Sequence, residues 1–180
     1  MPLKDFTEQL KQWLNKSLDM ELNVNYPWEI LDKLEKNSIG IDSEVKGLLR
    51  DFVVIGKNCN IGQSSEIKNS IIMDYSNAPH HNYVGDSIIG KNCNLGAGTK
   101  IANFRLDGKE ISIDVGCERY KTGRQKFGAI LENRVKVGCN VVICPGSYIG
   151  ENSYIGPGIV VYGYVPPNSR IKSDYRNRYD

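Results

Sequence analysis

Between Leu49 and Val161, aliphatic residues recur every six positions, most of them followed by glycine. A first block holds Leu49-Arg50, Ile55-Gly56, Ile61-Gly62 and Ile67-Lys68. Ile89-Gly90, Leu95-Gly96 and Ile101-Ala102 form a second block. The third runs Leu131-Glu132, Val137-Gly138, Ile143-Cys144, Ile149-Gly150, Ile155-Gly156 and Val161-Tyr162. Four residues after most of these aliphatics stands a small or β-branched residue, among them Cys59, Ser65, Cys93, Thr99, Val141 and Ser153. A fixed short period marks stacked repeats rather than a mosaic of local elements. Before Leu49 the period is helical instead. Leu3, Phe6, Leu10, Trp13, Leu14 and Leu18 fall at three- and four-residue spacing with polar residues between them. A second short helix is predicted from Pro27, a residue suited to a first helical turn, with Ile30, Leu31 and Leu34 on one face.

A flat strand of four or five residues followed by a sharp bend makes one side of a triangular coil. Inward aliphatics then stack on their counterparts about 4.8 Å along the axis. Glycine follows them where a side chain would crowd the turn. Stacked coils bury a continuous core that one coil alone could not. The six-residue period therefore predicts an all-β chain: a left-handed parallel β-helix of hexapeptide repeats with a short N-terminal helical appendage. Left-handed coiling is an exception to the usual crossover rule. The expected division is a helical segment and linker over residues 1–40, the β-helix over 41–166 and a polar tail over 167–180. The two helices are expected to cap the end of the core. Cys59 and Cys93 fall at the small inward position and are read as core residues, while Cys117 falls in a loop and Cys139 at a coil edge.

Composition narrows the function classes. A formal net charge of +2 with no dominant basic run does not point to nucleic acid. The N-terminus lacks the charged and apolar regions of a signal peptide, and no apolar run reaches the length of a membrane span, so a cytoplasmic protein is expected. Five cysteines without paired spacing read as free thiols. Two adjacent histidines with no third leave a three-histidine metal site incomplete.

Two stretches break the written repeat, and breaks are where repeat proteins tend to place function. Met73 to Val84 carries His80 and His81; Asn103 to Gly128 is long and polar, and is expected to form a lid, a ligand contact or an oligomer arm. Acyl transfer to an amine needs a base that works near neutral pH, and histidine is the commonest solution. In an extended segment His80 and His81 point to opposite sides, so one of them serves. His80, near Tyr83 and Asp86, is the candidate.

The run from Glu66-Ile67-Lys68-Asn69-Ser70 through His80, Tyr83-Val84-Gly85-Asp86, Ile89 to Thr99 and Asn103 resembles a known family. It is similar to the C-terminal acetyltransferase half of bifunctional sugar-1-phosphate nucleotidylyltransferase/acetyltransferases, and Thr122 to Ile130 looks like the archaeal-type branch. The resemblance covers roughly Leu49 to Pro166, and Asn25 to Glu29 resembles the linker before the β-helix. It implies that His80 is the catalytic base and that Asn94 and Asn103 contact sugar and acyl group. It implies that Arg50, Lys68 and Tyr83 hold a sugar phosphate, that Lys109 lies on a closing loop, and that Ala97, Cys139 and Pro157 contact coenzyme A. An acetyl-CoA-dependent N-acetyltransferase acting on glucosamine- or galactosamine-1-phosphate is the implied activity. A homotrimer with sites between subunits and no metal requirement is the implied assembly.

Two departures matter. The nucleotidylyltransferase half has no counterpart in the sequence, so nucleotidyl transfer is not expected. Asp51 follows Arg50 where the family usually has proline, and a carboxylate there opposes an anionic substrate by about 1 kcal/mol if partly screened. A non-catalytic trimer that binds a sugar nucleotide or a protein partner, and an O-acetyltransferase, are the alternative readings. Arg170, Lys172, Arg176 and Arg178 could reach coenzyme phosphates, although a solvated tail is the plainer account of them.

Overall fold

A computed structural model describes residues 2–173. Their parallel strands form a left-handed β-helix with three faces. The first face stacks seven strands: Ser38–Ile39, Val54–Ile55, Ile71–Ile72, Ile88–Ile89, Ala129–Leu131, Ser147–Ile149 and Tyr164–Val165. The second also stacks seven: Glu44–Val45, Asn60–Ile61, Asn77–Ala78, Asn94–Leu95, Lys136–Val137, Tyr154–Ile155 and Arg170–Ile171. The third stacks six: Leu48–Arg50, Glu66–Lys68, Tyr83–Gly85, Lys100–Ile101, Val142–Ile143 and Val160–Val161. Coiling thus begins at Ser38 and continues past Pro166, and Arg176 and Arg178 lie outside the described residues.

The stretch from Met73 to Val84 does not interrupt the coil, contrary to expectation. Ile72 pairs with Ile55, Ala78 with Ile61 and Val84 with Ile67, and all three are buried in the axial core. The written period fails because two corners are one residue short, so Ile67 is followed by Ile72, and Val84 by Ile89, after five positions rather than six. Left-handed residues Asn69 (φ 43°) and Asp86 (φ 46°) make those tight corners. Asn and Asp tolerate this conformation better than other side chains because they can hydrogen-bond locally.

Glycine after the inward aliphatic serves close approach rather than positive φ. A Cβ built on Gly62 would lie 1.7 Å from the Pro79 carbonyl oxygen, and one on Gly96 would lie 2.5 Å from the Gly138 carbonyl carbon. Cys59 and Cys93 are buried inward, as expected, and their thiols donate to the Met73 and Glu132 carbonyls at 3.3 and 3.0 Å.

The helices do not cap the end of the core. Helix α1 (Pro2–Leu18) lies along the outer side of the first face. Its buried Leu3, Phe6, Leu10, Trp13 and Leu14 join Val54, Ile71, Ile88, Ile130 and Tyr148 in a second core. The 3-10 turn Pro27–Lys33 adds Trp28, whose ring stacks on Tyr26 at 4.7 Å. The long polar insertion belongs to the same layer. It folds as an antiparallel hairpin, Ser112–Val115 with Glu118–Lys121, and buries Ile111, Ile113 and Phe127 beside Trp28. A first-face strand is therefore apolar on both sides, whereas strands on the other faces turn one side outward.

Gly62→Ala is expected to destabilise the coil by about 3 kcal/mol, because backbone must move to admit the methyl group. Gly116→Asn, in open space at φ 62°, should cost less than about 1 kcal/mol. Urea denaturation of both variants measures the difference.

Candidate functional site

The third face ends, toward its junction with the first, in a cluster of charged and amide side chains. Register places Arg50 beside Lys68 and Lys68 beside Gly85 on successive strands. Glycine at 85 lets Tyr83 and Asn103 close over the backbone: a Cβ there would lie 2.7 Å from the Tyr83 hydroxyl and 2.8 Å from Asn103 Nδ2. Asp86, at the tight corner, is the hub. Its buried carboxylate accepts hydrogen bonds from Asn103 and from Asn69 Nδ2 at 2.8 Å, and pairs with Lys68 Nζ at 3.4 Å. Arg124, returning from the hairpin, approaches it at 3.9 Å and pairs with Asp32. Arg50 pairs with Glu66 at 2.6 Å, and Lys68 Nζ lies 3.0 Å from Asp51. Burial pulls the Lys68 pKa down, but Asp51 and Asp86 more than offset it and leave it above the usual lysine value. Burial, followed by the Asp86 charge, raises the Tyr83 phenol and keeps it protonated.

His80 sits elsewhere, on the exposed corner between the second and third faces. Strand register continues through that corner, so Gln63, His80, Ala97, Cys139 and Pro157 form one column along the axis. The Gly98 N–H donates to the His80 carbonyl at 3.0 Å, Asn140 to Ala97 at 2.8 Å and Gly158 to Cys139 at 2.9 Å. Above His80 the column carries only small or short side chains. At about 4.8 Å per coil it extends roughly 14 Å from His80 to Pro157. Beyond lies a concavity of about 460 Å³ lined by Gly138, Pro157, Arg170 and Lys172. Among the described residues the backbone N–H of Ala97, next above His80, has no acceptor.

The structure brings Arg50, Lys68, Tyr83 and Asn103 together, and His80 with Ala97, Cys139 and Pro157. Asn94 joins neither group. Asn94 points out from the second face between Asn77 and Lys136. Lys109 is exposed on the insertion, its N–H donating to Asp107 at 3.3 Å, and makes no hydrogen bond or ion pair with the cluster's side chains. Sequence reasoning missed Glu66, Asn69 and the hub role of Asp86. A signal was present: Asn69 and Asp86 stand at the two shortened corners one coil apart. A larger cleft of about 740 Å³ runs between α1 and the coil, lined by Trp13, Lys57 and Asp74, and shares no residue with the cluster. No group of metal-ligating side chains occurs among the described residues. No helix among them is long and apolar enough to cross a membrane.

Comparison with known proteins adds the family. Residues 36–118 match the GMPPB C-terminal domain, and residues 128–163 match the bacterial transferase hexapeptide model of six repeats. The chain is 45% identical over 113 residues to a bifunctional sugar-1-phosphate nucleotidylyltransferase/acetyltransferase of Sulfurisphaera tokodaii, covering 63% of this chain and 28% of that protein. It is 45% identical over 123 residues to the bifunctional protein GlmU of Methanococcus aeolicus, covering 68% of this chain and 30% of the relative. The matched part is the C-terminal region of these proteins. The chain is thus similar to the C-terminal hexapeptide domain of these proteins. It spans less than a third of these relatives' length. Solved structures show the same fold. The N-acyltransferase AntD of Bacillus cereus superposes with a TM-score of 0.58 at 22% identity, over 81% of this chain and 83% of that one. Perosamine N-acetyltransferase of Caulobacter crescentus gives 0.51 at 18%, over 97% and 66%.

The hexapeptide domain's thiols separate by position. Burial pushes the Cys93 thiol up to about 12, and raises Cys59 as well. Cys117 and Cys139 are exposed. Alkylation of the native protein followed by mass spectrometry should modify Cys117 and Cys139 first, with Cys59 and Cys93 reacting only on unfolding.

Proposed function

We propose that the protein is an acetyl-CoA-dependent N-acetyltransferase of an amino sugar, the glucosamine and galactosamine 1-phosphates implied by the resemblance being the first acceptors to test against their unphosphorylated forms. The observation that carries this reading is the corner column, in which one histidine stands at the foot of a track of small residues. Coenzyme A lies along Ala97, Cys139 and Pro157, with its phosphates toward Arg170 and Lys172. The thioester is then delivered to His80. The sugar amine attacks the thioester carbon while His80 takes its proton, and coenzyme A leaves as the thiol. The Ala97 N–H is placed to stabilise the oxyanion. The acceptor sugar is held from the third face by Arg50, Lys68, Tyr83 and Asn103.

Two features support a homotrimer with sites between subunits. Asn94 and the Lys68 cluster project from different faces of one chain, so a site using both draws them from two chains. The first face is sealed by α1 and the hairpin, whereas Leu48, Val160 and Tyr162 leave apolar surface exposed on and beside the third. Lys109 is then a contact contributed by the exposed insertion. Coenzymes and partners in the solved relatives support the choice of donor: perosamine N-acetyltransferase and AntD were crystallised with coenzyme A or an acyl derivative and a nucleotide or nucleotide-linked amino sugar.

Release of coenzyme A thiol, followed across phosphorylated and free amino sugars, tests the reading. His80→Ala should lower kcat by about 10²–10⁴-fold with the trimer intact by light scattering. An absence of transfer to every amino sugar, from a correctly assembled protein, would exclude catalysis and favour a binding role.

A further inference from the structure

In the third-face cluster Arg50, Lys68 and Arg124 each have a carboxylate partner already. Arg50 lies 2.6 Å from Glu66, Lys68 lies 3.0 Å from Asp51 and 3.4 Å from Asp86, and Arg124 pairs with Asp32. Three cations thus face four carboxylates. A phosphomonoester that reaches Lys68 meets an ammonium already paired twice, and must either displace a carboxylate or be repelled by it. The partners differ in how readily they yield. Asp86 is buried and tied down by two amide side chains. The Asp51 side chain is about half exposed and pairs directly with Lys68, with Arg50 and Lys126 attracting it from farther off.

We propose that Asp51 is a specificity-determining residue whose carboxylate stands against Lys68 where an acceptor's phosphate would lie, biasing the site away from dianionic phosphomonoesters and toward amino sugars that place less charge there. This rests on the acyl-transfer reading above for its substrate but not for its geometry. The corner itself prescribes the anion's position. Asp51 has φ 56°, a left-handed conformation that its neighbours in the coil assign to Asn or Asp and that proline cannot adopt. From that corner its carboxylate reaches the same ammonium that Asp86 holds from the next coil. Lys68 is therefore clamped from both sides, and the outer jaw is the one open to solvent.

Asp51→Asn keeps the corner and the amide-sized side chain while removing the charge. It should lower KM for glucosamine 1-phosphate on the order of tenfold, with kcat unchanged, and leave KM for glucosamine within about twofold. Titration calorimetry of glucosamine 1-phosphate against both proteins should show the same gain in affinity without any turnover. A structural disturbance would move both acceptors together. Equal changes for the two acceptors, an unaltered Kd for the phosphate ester, or no binding of it to either protein would overturn the proposal. Absence of coenzyme A release from both proteins with a tenfold gain in Kd intact would instead remove the catalytic reading and leave Asp51's role standing.

Discussion

How closely successive turns of the chain lie on one another sets the rest of the structure. Strands one coil apart must pair through their backbones, and just before the corners that leaves no space for a side chain. At Gly62 even a methyl group would overlap the Pro79 carbonyl. One position further on, at the corner itself, side chains face outward. Along the corner of the second and third faces they run Gln63, His80, Ala97, Cys139 and Pro157, so short side chains make a smooth track above the histidine.

The three faces are put to different uses by what covers them. On the first, the strands from Val54–Ile55 onward are largely apolar on both sides, and α1, the turn at Trp28 and the hairpin bury the outer side. The second is lined by polar residues such as Asn60, Asn77 and Asn94. The third combines exposed aliphatics with the charge cluster. The charge cluster lies on an uncovered surface, and the corner where the two uncovered faces meet carries His80. Asp86 links cover to cluster, because its carbonyl accepts the Gly128 N–H where the insertion returns while its carboxylate holds Lys68, Asn69 and Asn103.

Much of this was readable in the sequence. The three- and four-residue spacing near the N-terminus predicted the helices, and the six-residue period predicted the coil and the inward cysteines. It misplaced the first interruption because Ile67 to Ile72 and Val84 to Ile89 each drop one residue, which shifts the phase without breaking the stack. It also misplaced the helices, although the consecutive aliphatics Val54-Ile55, Ile71-Ile72 and Ile88-Ile89 mark the face that must be covered on both sides. Arg50, Lys68 and Tyr83 could be grouped by resemblance. The pairing of Lys68 with Asp51 and Asp86 could not, because it depends on which corners are shortened and on the direction of side chains leaving left-handed residues.

The central claim is that the corner above His80 is the path of the acyl donor, and Cys139 supplies a direct probe of it. Its thiol lies in the middle of the column, while Cys117 sits far off in the hairpin turn and serves as an internal reference. The decisive measurement is the alkylation rate of each thiol as coenzyme A is titrated in. The account predicts that Cys139 becomes protected by at least tenfold at saturation while Cys117 reacts as before; equal rates for Cys139 with and without coenzyme A would contradict it.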